Sequence, residues 1–242
     1  MNDEADKSRR RRSLAAIRQA VRQVLEILPP NNRGFCRIEL CGGIGVGKTT
    51  AATALARTWS LPLFCEAYED VPFWEKYYRD PAEYELEKNV SFLLSYGDII
   101  RDAAANEVVR TPQIFDFSLL QILAYCDLSL SPADAHAVEQ LYARIAQRCG
   151  PPSLLIHVSC PIEEQLRRIG VRGRELEVNI DMAFLVALND RIAARSADQG
   201  IAIPVLEVDT LAADFSAYPE REALGLAERL IAPKCDPFEW RK

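Results

Sequence analysis

The residues from Gly42 to Thr49, GGIGVGKT, satisfy the spacing G-x-x-x-x-G-K-[ST], with Thr50 directly behind them. These residue types at these distances suit one task, the binding of a polyphosphate. Gly42, Gly43, Gly45 and Gly47 let the backbone approach a ligand closely, and successive N–H groups with a helix N-terminus behind them make a positive concavity. Lys48 then reaches the terminal phosphates, and the Thr49 hydroxyl can hold Mg²⁺. Two carboxylates are further candidates. Glu66 ends the short apolar run 61–65, and Asp116 stands just before the helical run 117–125. An acid at the C-terminal edge of a strand in an open α/β sheet faces the ligand crevice. A hydroxyl nucleophile needs a proton acceptor within hydrogen-bond reach, and Glu66 is the residue placed to be one. Arg167, Arg168, Arg172 and Arg174 fall within eight residues, with Gly170 and Gly173 among them. Read as a loop, they form a lid that cradles anionic oxygens, since phosphoryl transfer asks a protein for positioning and charge stabilisation.

These groups need a scaffold, and the hydrophobic pattern describes one. Apolar strand-like runs occur at 35–41, 61–65, 154–158 and 204–208, with a brief candidate at 108–109. Between them, apolar residues recur at helical spacing over 83–105, 117–125, 131–149, 161–169, 180–197 and 219–231. Ser131-Pro132 is a helix start, with Ser at the cap and Pro at the first position. Strands alternating with helices predict a doubly wound α/β fold, a five-stranded parallel sheet with helices on both faces. In front of this domain, 35–242, stands an arm, 1–34. There Leu14, Ile17, Val21, Val24, Leu25 and Leu28 make one helical face that Pro29-Pro30 stops. The arm reads as a helix packed on the core rather than a docking or dimerisation element.

Composition narrows the remaining choices. The 242 residues are 49% hydrophobic, enough for one buried core. A net charge of −6 and a pI near 5.2 leave only the short run Arg9–Arg12 as a basic feature, which argues against nucleic acid as a partner. No stretch of about 18 apolar residues suggests a membrane span, and the N-terminus lacks a secretory pattern. The seven cysteines, Cys36, Cys41, Cys65, Cys126, Cys149, Cys160 and Cys235, show no C-x-x-C spacing. They read as buried, reduced thiols of a cytoplasmic protein. With only His136 and His157 present, a zinc cluster lacks ligands.

Beyond these physical readings, the chain resembles the deoxynucleoside kinases, of the deoxyadenosine and deoxyguanosine type, within the thymidylate-kinase-like P-loop kinases. The stretch 66–81, EAYEDVPFWEKYYRDP, is similar to the segment in which that family's catalytic Glu precedes N-P-[FY]-L and F-Y-x-D. The stretch 168–177, RIGVRGRELE, resembles the family lid R-I-x-x-R-G-R-x-x-E. Asp116-Phe117-Ser118 stands where the family has an acidic-Arg-Ser triplet, and Asp214-Phe215 matches the loop that packs on the adenine of ATP. The similarity spans about residues 35–231. It implies an ATP- and Mg²⁺-dependent kinase of a nucleoside 5′-hydroxyl, working as a homodimer on a small-molecule substrate. Carried over by position, Glu66 is the base and Thr49 and Asp116 hold Mg²⁺. Tyr78 and Glu177 meet the sugar 3′-hydroxyl. Lys48 holds the donor, and Arg168, Arg172 and Arg174 clamp the transferring phosphate.

The departures from the family concentrate where the base is read. Asn89 stands for a Gln, Tyr96 and Phe117 for arginines, and Ile122 for an Asp. Asn is one methylene shorter than Gln, and apolar neighbours replace a charged pair, so a purine-type or modified nucleoside is favoured over deoxycytidine or thymidine. Two other readings stand beside this one. The first is a kinase of another small alcohol or of a nucleoside monophosphate; the second is a non-catalytic nucleotide-binding regulator, which Phe117 in place of Arg would suit.

Overall fold

The structure is a computed structural model of the chain, and it describes residues 15, 19–24, 26–28, 30–31, 34–105, 111–174, 180–199 and 203–232. Five strands form one sheet: β1 (Arg37–Cys41), β2 (Leu63–Phe64), β3 (Gln113–Phe115), β4 (Leu154–Ser159) and β5 (Val205–Asp209). Their order is β2-β3-β1-β4-β5, and every neighbouring pair is parallel. The expected parallel sheet is therefore present. Its third strand differs from expectation, because 108–109 lie outside the described residues and the strand is Gln113–Phe115. Three residues are too few to show a period. Pairing on both sides, to Arg37–Glu39 of β1 and Leu63–Phe64 of β2, makes this segment a strand.

Among the described residues eight α-helices of defined extent cover the sheet: α1 (Lys48–Trp59), α2 (Trp74–Arg79), α3 (Pro81–Ala105), α4 (Leu119–Ser129), α5 (Pro132–Cys149), α6 (Ile162–Arg172), α7 (Met182–Gln199) and α8 (Pro219–Ile231). Alternation along β1 decides which residues meet which layer. Ile38 and Leu40 join a core with Leu55 of α1 and Leu226 of α8, while Cys41 packs with Leu188 and Ile192 of α7. A third apolar cluster lies between α3, α4 and α5, around Phe115 and Phe117. Ala20, Val21, Val24 and Leu28 of the N-terminal segment belong to the first core. The described part of the arm thus packs on the domain.

The arginine-rich stretch is mostly helix rather than loop. Arg167, Arg168 and Arg172 lie within α6, and only Arg174 follows its end. Glu164 accepts from both Arg167 and Arg168 one turn on, and these pairs support the helix ahead of Gly170. Gly173, left-handed at φ 63°, ends it by returning its N–H to the Ile169 carbonyl. Among the described residues no helix is long and apolar enough to cross a membrane. Of the cysteines, Cys41, Cys126, Cys149 and Cys160 are buried, Cys36 is half-buried, and Cys65 is exposed, contrary to the expectation of burial. Cys235 lies outside the described residues.

Candidate active site

Three strand ends supply the site. The phosphate loop leaves the C-terminal end of β1, Glu66 follows β2, and Asp116 follows β3. Two glycines of the loop are required by its path. A side chain at Gly42 would put its Cβ 2.2 Å from the Val158 carbonyl oxygen of β4, and Gly47 holds φ 96° where α1 begins. Thr210 and Arg168 hold the loop from outside. The Thr210 hydroxyl donates to the Val46 carbonyl at 2.6 Å, and Arg168 Nη1 donates to the same carbonyl at 3.1 Å. Arg168 also bonds Thr210 Oγ1 at 2.8 Å and Glu164 at 2.7 Å. Its guanidinium is thus engaged with the loop, Thr210 and Glu164.

Lys48 Nζ donates to the carbonyls of Gly42 and Gly43, at 2.8 and 2.9 Å, so its ammonium spans the concavity. Burial pulls its pKa down, with Glu66 and Asp116 opposing and Arg172 adding to the fall. The Thr49 hydroxyl donates to Asp116 Oδ2 at 2.8 Å, and the Glu66 backbone N–H donates to Asp116 Oδ1 at 2.8 Å. Asp116, 4% exposed, therefore ties the loop to the second strand end. Its carboxylate and the Thr49 hydroxyl are hard oxygen donors side by side, a set that suits Mg²⁺, which takes few protein ligands and keeps water and phosphate oxygens. Thr50 is exposed in the first turn of α1.

Glu66 meets a partner that the sequence did not announce. Tyr96 of α3 donates its hydroxyl to Glu66 Oε2 at 2.5 Å, and Gln121 of α4 donates to the Tyr96 oxygen at 3.4 Å. Burial raises the Glu66 pKa above the ordinary carboxylate value; Tyr96 and Lys48 counter it, Asp116 adds to it, and Arg174 counters it. Arg174 also lies 4.2 Å from the ring centre of Tyr68. Phe117, fully buried, stacks under Tyr96 with ring centres 4.2 Å apart. Tyr96, 2% exposed, thus presents little surface of its own. Ile122 is likewise buried in the aromatic cluster.

Asn89 donates its amide to Glu85 Oε1 at 3.0 Å, and Lys88 donates to the same oxygen at 2.7 Å. The amide expected to read a base is engaged within its own helix. Tyr78 packs edge-on to Trp74 and Tyr77. Phe215 is 4% exposed and packs in the first core. Asp214 before it is exposed and caps the following turn through the N–H groups of Ser216 and Ala217. Glu177 lies outside the described residues.

Sequence reasoning missed Thr210, Glu85 and Gln121. Gln121 left a usable signal, as the one polar residue inside the apolar run 119–124.

Residues 38–224 match the model of the deoxynucleoside kinase family. The chain is 28% identical over 159 residues to a deoxyguanosine kinase of Bacillus subtilis (strain 168), covering 65% of this chain and 76% of the relative. It is 27% identical over 176 residues to a deoxyadenosine kinase of Dictyostelium discoideum, covering 71% of each. The fold is similar to that of a deoxyadenosine kinase from M. mycoides with bound dCTP, at a TM-score of 0.67 and 18% identity, over 80% of this chain and 99% of that one. A phosphate loop joined through one carboxylate to a strand-end glutamate, in a chain that matches the family across most of its length, belongs to the deoxynucleoside kinase family.

Proposed function

We propose that the protein transfers the γ-phosphate of ATP to the 5′-hydroxyl of a nucleoside, with purine-type or modified nucleosides favoured. One observation carries the reading: Asp116 accepts from the Thr49 hydroxyl of the phosphate loop at 2.8 Å and from the Glu66 backbone N–H at 2.8 Å, so one carboxylate joins the loop to the strand-end glutamate. A proton acceptor therefore stands beside a polyphosphate cradle. The acceptor hydroxyl gives its proton to Glu66 as its oxygen bonds to the γ-phosphorus. The bond from that phosphorus to the β–γ bridging oxygen breaks, and ADP leaves with the electron pair. Lys48 gives up its loop carbonyls to donate to phosphate oxygens, and Arg172 and Arg174 offset the negative charge at the transferring group. Thr49 and Asp116 would hold Mg²⁺, which would supply positive charge against the phosphates.

Support for a purine comes from the deoxyguanosine and deoxyadenosine kinases to which the chain is similar. The working form is proposed to be a homodimer, as the resemblance to the family implies.

ADP release from Mg·ATP with the four common deoxynucleosides and their ribo forms tests the function. The expected result is a higher kcat/KM for purines, with deoxycytidine and thymidine poor. A clear preference for either pyrimidine overturns the purine reading. Release with no nucleoside at all returns the protein to a kinase of another alcohol or a nucleotide-binding regulator.

A further inference from the structure

We propose that Tyr96 is a positioning residue for Glu66, holding one carboxylate oxygen so that the other faces the acceptor hydroxyl. The inference rests on Glu66 being the base. Its starting point is a contact between elements far apart in the chain: the Tyr96 hydroxyl, from the middle of α3, donates to Glu66 Oε2 at 2.5 Å. A bond from a phenol to a carboxylate is charge-assisted and short, about twice as strong as one between neutral groups. Among the described residues the other oxygen, Oε1, takes no hydrogen bond, and it is the one left for a substrate proton.

Tyr96 can position Glu66 because it is itself held. Its ring stacks on Phe117 at 4.2 Å, and Phe117 in turn stands edge-on to Phe115 at 5.5 Å. Phe92, one turn earlier on α3, meets the same ring edge-on at 5.8 Å. Tyr96 is 2% exposed and Phe117 is fully buried, so neither ring has room to turn. A phenol has one donor and can also accept; here the donor goes to Glu66, and the oxygen accepts from Gln121 Nε2 at 3.4 Å.

Glu66 is thereby fixed at two points, its backbone N–H by Asp116 and its Oε2 by Tyr96. A glutamate held only by its backbone would spread over several rotamers, and each unproductive one lowers the fraction of encounters with the hydroxyl in reach. Were Tyr96 there only to fill space, Phe would do so without burying a hydroxyl that needs a partner.

The test is a double-mutant cycle on Tyr96→Phe and Glu66→Gln, assayed with Mg·ATP and the best acceptor of the nucleoside panel. Tyr96→Phe keeps the ring stack and removes one oxygen, so the fold survives. It should lower kcat about tenfold or more, the worth of one hydrogen bond to a charged group, and leave KM for ATP unchanged. In the Glu66→Gln background the same change should cost nothing further, because the group it positions is gone. Wild-type kcat in Tyr96→Phe overturns the inference while leaving Glu66 as base. Losses that multiply in the double variant overturn it too, by showing that Tyr96 acts separately from Glu66. Full activity of Glu66→Gln, or no turnover with any nucleoside, removes the base reading and this inference with it.

Discussion

At Lys48 and Glu66 the same burial serves catalysis and weakens the fold. Lys48 spends its donors on two loop carbonyls, and no other loop side chain offers a positive charge to the β- and γ-phosphates. Lys48→Ala should therefore abolish phosphoryl transfer while the sheet, built elsewhere, keeps its circular-dichroism spectrum; wild-type turnover in a folded variant would refute the loop assignment. Glu66→Gln should lower kcat by about 10²–10⁴, the usual contribution of a positioned base, with ATP affinity kept. Its stability should move the other way. A carboxyl whose folded pKa is raised binds its proton more tightly in the folded state, so stability is lost as pH rises through the window above the unfolded value. At pH 7 Glu66→Gln should then melt above the wild type, and the gap should close as the pH is taken below the unfolded carboxylate pKa of about 4.3. Equal melting temperatures at pH 7 would mean that burial of Glu66 carries no cost.

Two helices begin with the same residue type in different surroundings, which separates a cap from a junction. Ser131 Oγ accepts from the Asp134 N–H at 3.2 Å at the exposed start of α5. Ser118 Oγ accepts from the Leu120 N–H at 3.3 Å at the start of α4, and it also donates to Glu39 Oε2 at 2.6 Å in the interior. Glu39 is bonded to Arg37 Nε at 2.6 Å, and both side chains are almost fully buried. Ser131→Ala should cost about 1 kcal/mol, the ordinary value of a cap. Ser118→Ala adds an acceptor on buried Glu39 left without its donor, for a total of about 2–4 kcal/mol. Urea unfolding of the two variants decides the matter, and equal losses would show that water replaces the Ser118 contact at no cost.

Over the whole molecule, the strand order sets β1 between β3 and β4, so the phosphate loop and Asp116 leave neighbouring strand ends and Glu66 joins them from the edge. Cys65, beside Glu66, is the one exposed thiol among the six described cysteines. Loss of hydration against the site, with Asp116 and Glu66 adding negative charge, pushes it up to about 11. Thiolate is the reactive form, so exposure and reactivity part company here. Iodoacetamide should label Cys65 before Cys41 or Cys126, slowly near neutral pH and faster as the pH approaches 11, as read by peptide mass spectrometry. Rapid labelling at pH 7, or labelling of Cys41 as readily as Cys65, would contradict this picture of the site's surroundings.

The phosphate loop was legible in the sequence because its chemistry is local: glycines, Lys48 and Thr49 act through the backbone that carries them. The sheet was legible for a similar reason, since apolar runs between amphipathic helices have few other solutions. The partners of side chains were not legible. Tyr96 is 30 residues from Glu66 and Asp116 is 67 from Thr49, and no spacing rule connects them. Phe215 sits beside a loop yet faces the core, and Arg168 lies in a cationic cluster yet serves the loop backbone, because packing against α8 and Thr210 decided where each points. The third strand followed the same logic, since three residues become a strand only when β1 and β2 offer hydrogen bonds on either side. Sequence determined which groups were available for phosphoryl transfer; only the tertiary structure decided that a tyrosine held by stacked aromatic rings would grip the glutamate, because that contact depends on three elements meeting in space.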